Sequence, residues 1–536
     1  MPSLWEVLKT SKGLPAPDGF TALFARSLSD TYTLAEISGI PPLNLGEIVE
    51  IVDYTIYGNT YQAEGVSPDN PQEVVGSGDR TANLFSFYTT EQQGTLPNAI
   101  SCNKGESRFY ITKSVTDNDI VRKLSTNITL TAGTYTVSIK GLIQYTSNLD
   151  RMYLQTSSGT NIALNTTSNS PKTFTLTEET TISLMYCVMH AKTVYDNTEI
   201  CVMLNTGETA LPYEPYGYKI PVVTRGKNLF DRSTTEKGYS LGADGSLFRE
   251  AGYEASDFIK VEPNMIVSRN KNFTITTPLC EYTKDKVFIQ RITSGKTVAL
   301  SSNTQYIRIA ITESMLDVIL NTGTTPEPYE PYTPPITTPL YLDSPLYKIG
   351  DYSDSRGMTE EVRVVKELVL TGEENTTLHN ISTGNLFRVS LPVNRILDNF
   401  YGNGVCSHYT PVLYTGERVN GTISGARSAT LQDTVDIVDD YSTIDDFKSY
   451  LAAQYAAGTP VKVYYVLATP ETKTVNAVEI PTLNGTTLID VDTEVKPSNM
   501  WVEYKSSISE YNPMDLRTTD NQVLYTADNE ILQTKE

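Results

Sequence analysis

The chain has 536 residues, enough for roughly three to five domains of ordinary size, so a single small core is excluded. Forty-two Lys and Arg stand against 63 Asp and Glu, a formal net charge of −21, which argues against a nucleic-acid partner because phosphates are bound by Lys and Arg that displace counterions. Apolar residues make up 39%, and 34 tyrosines accompany only two tryptophans, Trp5 and Trp501, a composition that is polar yet rich enough in aromatic and β-branched residues to fold.

The N-terminus, Met1 to Lys9, has no basic stretch followed by an apolar run and does not read as a secretory signal. No stretch approaches the roughly 18 apolar residues of a membrane helix, so no membrane insertion is expected. Residues 1–45 carry an amphipathic piece (Leu4, Val7, Leu8, then Phe20, Leu23, Phe24) before Pro41-Pro42. They are too few for a core of their own and are expected to form a short helical docking segment. Residues 46–82 read as an extended connector bearing Gly and Pro. Cys102, Cys187, Cys201, Cys280 and Cys406 are odd in number, widely spaced and never in a C-x-x-C arrangement, which predicts reduced thiols of a cytosolic product rather than a disulfide framework. The N-x-S/T triplets at Asn127, Asn165, Asn272 and Asn484 reflect Asn/Thr-rich composition.

An internal repeat dominates the middle of the chain. Met203 to Tyr216 reads M-L-N-T-G-E-T-A-L-P-Y-E-P-Y and Ile319 to Tyr332 reads I-L-N-T-G-T-T-P-E-P-Y-E-P-Y, 116 residues apart. The openings match too, Ala82-Asn83-Leu84-Phe85 and Lys227-Asn228-Leu229-Phe230. Two modules follow, 83–222 and 223–340. Their dominant period is two: Tyr135, Val137 and Ile139 alternate with Thr136, Ser138 and Lys140, and Ile307, Ile309 and Ile311 alternate with Arg308 and Ala310. With turn signals at Ala132-Gly133, Ser158-Gly159 and Ser294-Gly295, the pattern predicts tandem antiparallel β-sandwiches of jelly-roll type in a mainly β protein. Proline in P-Y-E-P-Y cannot donate to a sheet and restrains the residue before it, so each strand ends there and the chain leaves stiff.

Residues 341–505 form a third, β-rich domain with the clearest helix, about 446–457. Thr443 and Asp446 make a capping pattern, Phe447, Tyr450, Leu451 and Tyr455 fall largely on one face, and Gly458 marks the stop. Strands are expected at Val461 to Ala468, with Val461, Val463, Tyr465 and Leu467 on one side, and at Thr487 to Val491 and Met500 to Tyr504. Residues 506–536 are a polar tail.

Chemistry-bearing patterns are sparse, and no catalytic, cofactor-binding or metal-ligating residue is assigned. Ser294-Gly295-Lys296-Thr297 mimics the end of a phosphate-binding loop, but Gln290 occupies the position of its first glycine. Cys406 and His408 share one face of a strand without a third orienting group in view, and read as a buried thiol beside an ordinary histidine. His190, His379 and His408 lack zinc-ligand spacing. Asp433, Asp436, Asp439, Asp440, Asp445 and Asp446 precede and open the helix, where the helix dipole favours carboxylates; they read as caps and solvated loop, with calcium as the other reading. Asp490 and Asp492 alternate on a strand without a calcium loop. Tyr213, Tyr216, Tyr329 and Tyr332 could stack on sugar rings, yet their place at module junctions points to packing.

Several strings taken together carry a resemblance. Tyr54 to Gln62 leading into Ser67 to Val75, the N-L-F openings, the L-N-T-G and P-Y-E-P-Y closings, Ser344 to Asp351, and Asp446 to Pro460 followed by Val466 to Glu471 resemble large minor structural proteins in the tails of phages and prophages of Gram-positive, often gut, bacteria. The resemblance implies a baseplate or tail-fibre component with carbohydrate-binding-like sandwiches and no family catalytic residues. It also implies other tail proteins as partners, a host-surface glycan or protein as target, a homotrimer, and assembly into the virion tail in the host cytoplasm. The alternatives are a free glycan-binding protein and a glycan-degrading tail enzyme.

Overall fold

The computed structural model describes residues 21–25, 49–94, 100–116, 118–142, 144–145, 148–166, 170–391, 400–413, 418–426, 433–483, 486–492, 495 and 499–506. Most of the expected N-terminal docking segment, and the polar tail beyond residue 506, lie outside them. The architecture is mainly β, as the alternation predicts, with one α-helix among the described residues. No described helix is long and apolar enough to cross a membrane.

One compact unit comprises residues 75–220 with 339–345 and contains the first module. It is a sandwich of two five-stranded antiparallel sheets. The first runs, in spatial order, Lys172–Leu176, Gly133–Lys140, Tyr195–Thr206, Arg108–Lys113 and Ile100–Cys102; the second runs Asn161–Thr166, Arg151–Thr156, Thr180–Met189, Ile120–Leu130 and Phe87–Gly94. Strict alternation builds it: along Ile120–Leu130 every second residue from Ile120 to Leu130 is buried. The interior holds Phe85, Phe87 and Phe109 in edge-to-face contact, with Val137, Leu154, Met185 and Val202 around them.

The other unit comprises residues 1–74, 221–338 and 346–536. Its second module repeats the sandwich on a smaller scale: Thr297–Ala299, Ile266–Arg269 and Leu320–Thr322 form one sheet, opposite a sheet built on Tyr306–Thr312. Ile307, Ile309 and Ile311 face the core, as their spacing predicts, while Ala310 on the reverse side is buried in a second cluster with Cys280 and Tyr282.

The C-terminal part of the same unit pairs a seven-stranded sheet with a five-stranded one, with the helix packed against them. Residues 46–82, expected to be an extended connector, contribute Val49–Tyr57, which lies between Asn499–Ser506 and Ser355–Gly357. Of the N-terminal segment only Thr21–Ala25 is described, as a strand paired with Asn499–Ser506. The helix Ile444–Ala456 starts as expected: Thr443 Oγ1 accepts from Asp446 N at 3.1 Å and donates to its carboxylate at 2.7 Å. Phe447 and Leu451 are buried, Phe447 stacked on Phe387 at 4.2 Å, whereas Tyr455 is exposed. The strand Val461–Thr474 is buried on both faces in its first half: Val461, Val463, Tyr465 and Leu467 in one core, Tyr464 and Val466 in another.

Candidate functional site

The shared strings of the two modules form the same hydrogen-bonded lock. Asn83 donates its amide to the carbonyls of Val202 and Glu214, both at 2.8 Å, and accepts from Phe85 N and Leu204 N, both at 3.0 Å. Asn228 donates to Val318 O at 3.4 Å and Glu330 O at 2.9 Å, and accepts from Phe230 N at 3.0 Å and Leu320 N at 3.1 Å. An asparagine alone among small side chains offers two donors and an acceptor in one plane, and here all are used in a buried place.

The L-N-T-G strings do a second job. Asn205 donates to Thr206 O and Thr209 O, and Asn321 to Thr322 O and Thr325 O, at 2.8–2.9 Å, which shapes the turn toward P-Y-E-P-Y. Gly207 and Gly323 sit at φ +89 and +103, where a side chain would be strained. Their carbonyls accept from Thr136 Oγ1 at 2.7 Å and Ser268 Oγ at 2.8 Å respectively. These paired contacts make Thr136 equivalent to Ser268, and Thr173 to Thr297.

The tyrosines of the P-Y-E-P-Y ends differ in exposure. Tyr213 shares a hydrogen bond with Ser107 at 3.1 Å, and burial pushes its phenol up to about 12. Arg80 lies over the rings of Tyr216 and Tyr218, 5.8 and 4.6 Å from their centroids. Burial also raises Tyr332, while Tyr329 is 40% exposed. Glu330 pairs with Lys227 inside the second module at 2.7 Å and accepts from Thr486 Oγ1 at 2.7 Å.

The remaining sequence candidates resolve individually. Thr297 opens a strand, not a helix, so Ser294 to Thr297 is a turn that leads from the sheet of Phe288–Ile292 to that of Thr297–Ala299, without the helix N-terminus that a phosphate loop needs. Cys406 and His408 are both buried; burial raises the thiol to about 11 and lowers the imidazole. His408 Nδ1 lies 2.8 Å from Ser407 Oγ, but both residues are under 7% exposed, so no substrate reaches them. His190 Nδ1 accepts from Lys192 N at 3.2 Å, and His379 Nε2 lies 3.2 Å from Thr377 Oγ1.

Of the acidic run, Asp445 and Asp446 occupy the first helical turn as expected. Asp436 and Asp439 instead belong to the strand Thr434–Asp439 and are buried: Asp436 takes a bidentate fork from Arg388 at 2.8 and 2.9 Å, and Asp439 accepts from Tyr409 Oη at 2.5 Å. Proximity in sequence to the helix concealed that these carboxylates have partners on neighbouring strands. Asp490 pairs with Arg225 at 2.7 Å, and Asp492 is exposed. Among the described residues no three His, Cys, Asp or Glu side chains converge as for a metal ion.

A concave feature that the sequence did not disclose lies on the outer face of the first module's Gly133–Lys140 sheet. Register sets Lys140, Cys201 and Arg108 in one row across three strands, and Glu199 beside Tyr110 in the next. Glu199 accepts from Tyr110 Oη at 3.0 Å and pairs with Arg108 at 3.3 Å. Next to this network a groove of about 320 Å³ is lined by Ser138, Lys140, Gly141, Leu142, Ser170, Pro171 and Cys201. Ser170 Oγ accepts from Ile139 N at 3.0 Å and so fixes one wall.

All five cysteines are free. Burial pushes the Cys187 thiol far above its usual value and Cys280 to about 11, while Cys102 and Cys406 are also buried and Cys201 is half-buried. A thiol at about 11 is roughly one part in a thousand thiolate at pH 8. A maleimide added to the native chain at that pH is therefore expected to label Cys201 first, and all five only after unfolding; peptide mapping that finds native Cys406 labelled as fast as Cys201 would contradict the burial argument. No family model matches the chain, and comparison with curated proteins finds no match either.

Proposed function

We propose that the protein is a structural component of a phage tail, in the baseplate or a tail fibre, and that its β-sandwich modules touch the host surface. The observation that carries this reading is the duplicated module with an identical lock at both closings: a β-built spacer whose repeats are fixed at their ends suits a part that spans and contacts. The resemblance of the N-L-F, L-N-T-G and P-Y-E-P-Y strings to tail proteins supplies the setting, with a homotrimer and other tail proteins as partners. In this reading the chain acts by contact and carries no catalytic residue. Repeated weak contacts suffice, since multivalency raises avidity by about 10²–10⁴ without a tight single site. Mass spectrometry of virions purified from a host that carries the gene tests it: peptides of this chain are expected at a stoichiometry of several copies per particle, and virions that lack them overturn the reading.

A further inference from the structure

We propose that the groove on the outer face of the first module binds a single sugar residue bearing an anionic substituent, a carboxylate or a phosphate. The inference deepens the function proposed above, and depends on it only for where such a sugar is met.

The two copies differ at this face. Thr136 and Ser268 are equivalent, so Val137 matches Arg269, and the bond from Asn270 N to Ile319 O sets Asn270 at the place of Ser138. In the second module the strand Ile266–Arg269 stops there. Asn270 Nδ2 donates to Asp317 O at 2.6 Å, Asn270 Oδ1 accepts from Ile319 N at 3.2 Å, and Lys271 pairs with Asp317 at 2.8 Å. In the first module the strand runs on to Lys140, and among the described residues a groove lies at its end. The lock is kept in both copies, while at this face the first module has a groove and the second a contact network of Asn270, Lys271 and Asp317.

The hollow has the chemistry of a small polar ligand site. Its volume of about 320 Å³ suits one sugar ring at the lower end of ligand pockets. Leu142 and Pro171 give apolar walls, and Ser138 gives a hydroxyl. Gly141 lets the chain pass against the next strand, where a Cβ would collide with the Glu199 carbonyl. Lys140 is exposed and forms no ion pair among the described residues, whereas Arg108 beyond Cys201 is held by Glu199 and Glu106. A cation that forms no ion pair among the described residues, at the rim of a polar hollow, favours an anionic group over a neutral one.

Saturation-transfer NMR and calorimetric titration of the full chain with methyl glucuronide, glucose 6-phosphate and methyl glucoside test the proposal. Binding of at least one anionic probe is expected, with the tighter of the two naming the substituent, and the neutral glucoside is expected to bind on the order of tenfold more weakly. Lys140→Gln, an exposed change, is expected to remove that preference. Ser138→Trp, with its melting curve checked against the parent, is expected to abolish binding. Absence of binding by all three probes at about 10 mM, neither anionic probe binding more tightly than the glucoside, or an unchanged preference in Lys140→Gln overturns the proposal. Virions without the protein would sink the tail assignment and leave this binding result standing, and the reverse holds as well.

Discussion

Replacing Arg269 by methionine is expected to open the second module locally, at a cost of about 3–5 kcal/mol. Arg269 is fully buried at the position where the first module has Val137. Its guanidinium donates to the carbonyls of Lys271 at 3.0 Å, Ala310 at 3.2 Å and Thr277 at 3.0 Å, and to that of Asn272, and it lies 4.2 Å from the Phe273 ring centroid. No carboxylate faces it in an ion pair among the described residues, and burial lowers its pKa to about 10, so the charge survives at neutral pH on carbonyl dipoles and the ring alone. Methionine fills the volume but leaves four carbonyls without this donor, and each orphaned group costs about 1–3 kcal/mol. Removing a buried charge returns part of that sum, which sets the lower estimate. Arg269→Lys keeps the charge and loses the fork, so an intermediate loss of about 1–3 kcal/mol is expected. Hydrogen–deuterium exchange of the full chain reads the effect: peptides covering residues 266–282 lose protection while those of residues 120–140 do not. Unchanged protection of 266–282 in Arg269→Met would show that the carbonyls have other donors and that the turn holds without the arginine.

How much of this was legible in advance depended on the range of the interaction. The helix start was readable because Thr443 and Asp446 are three residues apart and their bond is local. The strands were readable because alternation at Tyr135, Val137 and Ile139, or at Ile307, Ile309 and Ile311, states directly which side faces a core. The duplication was visible at its two ends but not between them. The offset between copies falls from 145 at Asn83/Asn228 to 132 at Thr136/Ser268, 124 at Thr173/Thr297 and 116 at Asn205/Asn321, so successive length changes in the loops erase the alignment. The hydrogen bonds to Gly207 and Gly323, with those joining Thr136 to Thr173 and Ser268 to Thr297, restore it. For that reason neither Arg269 nor the groove beside Lys140 had a signal: an arginine after Ile-Val-Ser resembles a strand-end charge, and Ser138 and Lys140 resemble the solvated face of a half-buried strand. Asp436 misled in the opposite sense, because its partner Arg388 is 48 residues away and its nearest landmark is a helix that it does not cap.

The lock itself yields the sharpest test, because two copies of one geometry must respond alike. Asn83→Asp preserves shape and both acceptor contacts, to Phe85 N and Leu204 N, but turns an oxygen toward the carbonyls of Val202 and Glu214 in place of a donor. Carboxylate against carbonyl at such distance is repulsive, and the charge is buried without a cation, so a loss of about 3–5 kcal/mol is expected. Asn83→Ala leaves the same four backbone groups without side-chain partners but buries no charge, and about 2–3 kcal/mol is expected. The isosteric variant should thus be the worse of the two, against what packing alone predicts. The gap should close as pH falls, because protonating the buried carboxyl removes the charge and restores one donor. Asn228 carries the same four contacts, to Val318, Glu330, Phe230 and Leu320, so Asn228→Asp and Asn228→Ala should rank in the same order, with the loss confined to the second module. Thermal melts of the full chain at pH 5 and pH 8, with exchange protection read at residues 202–214 and 318–330, measure both. An alanine variant less stable than the aspartate in either module would mean that volume, and not the donor pair, holds the closing segment in place.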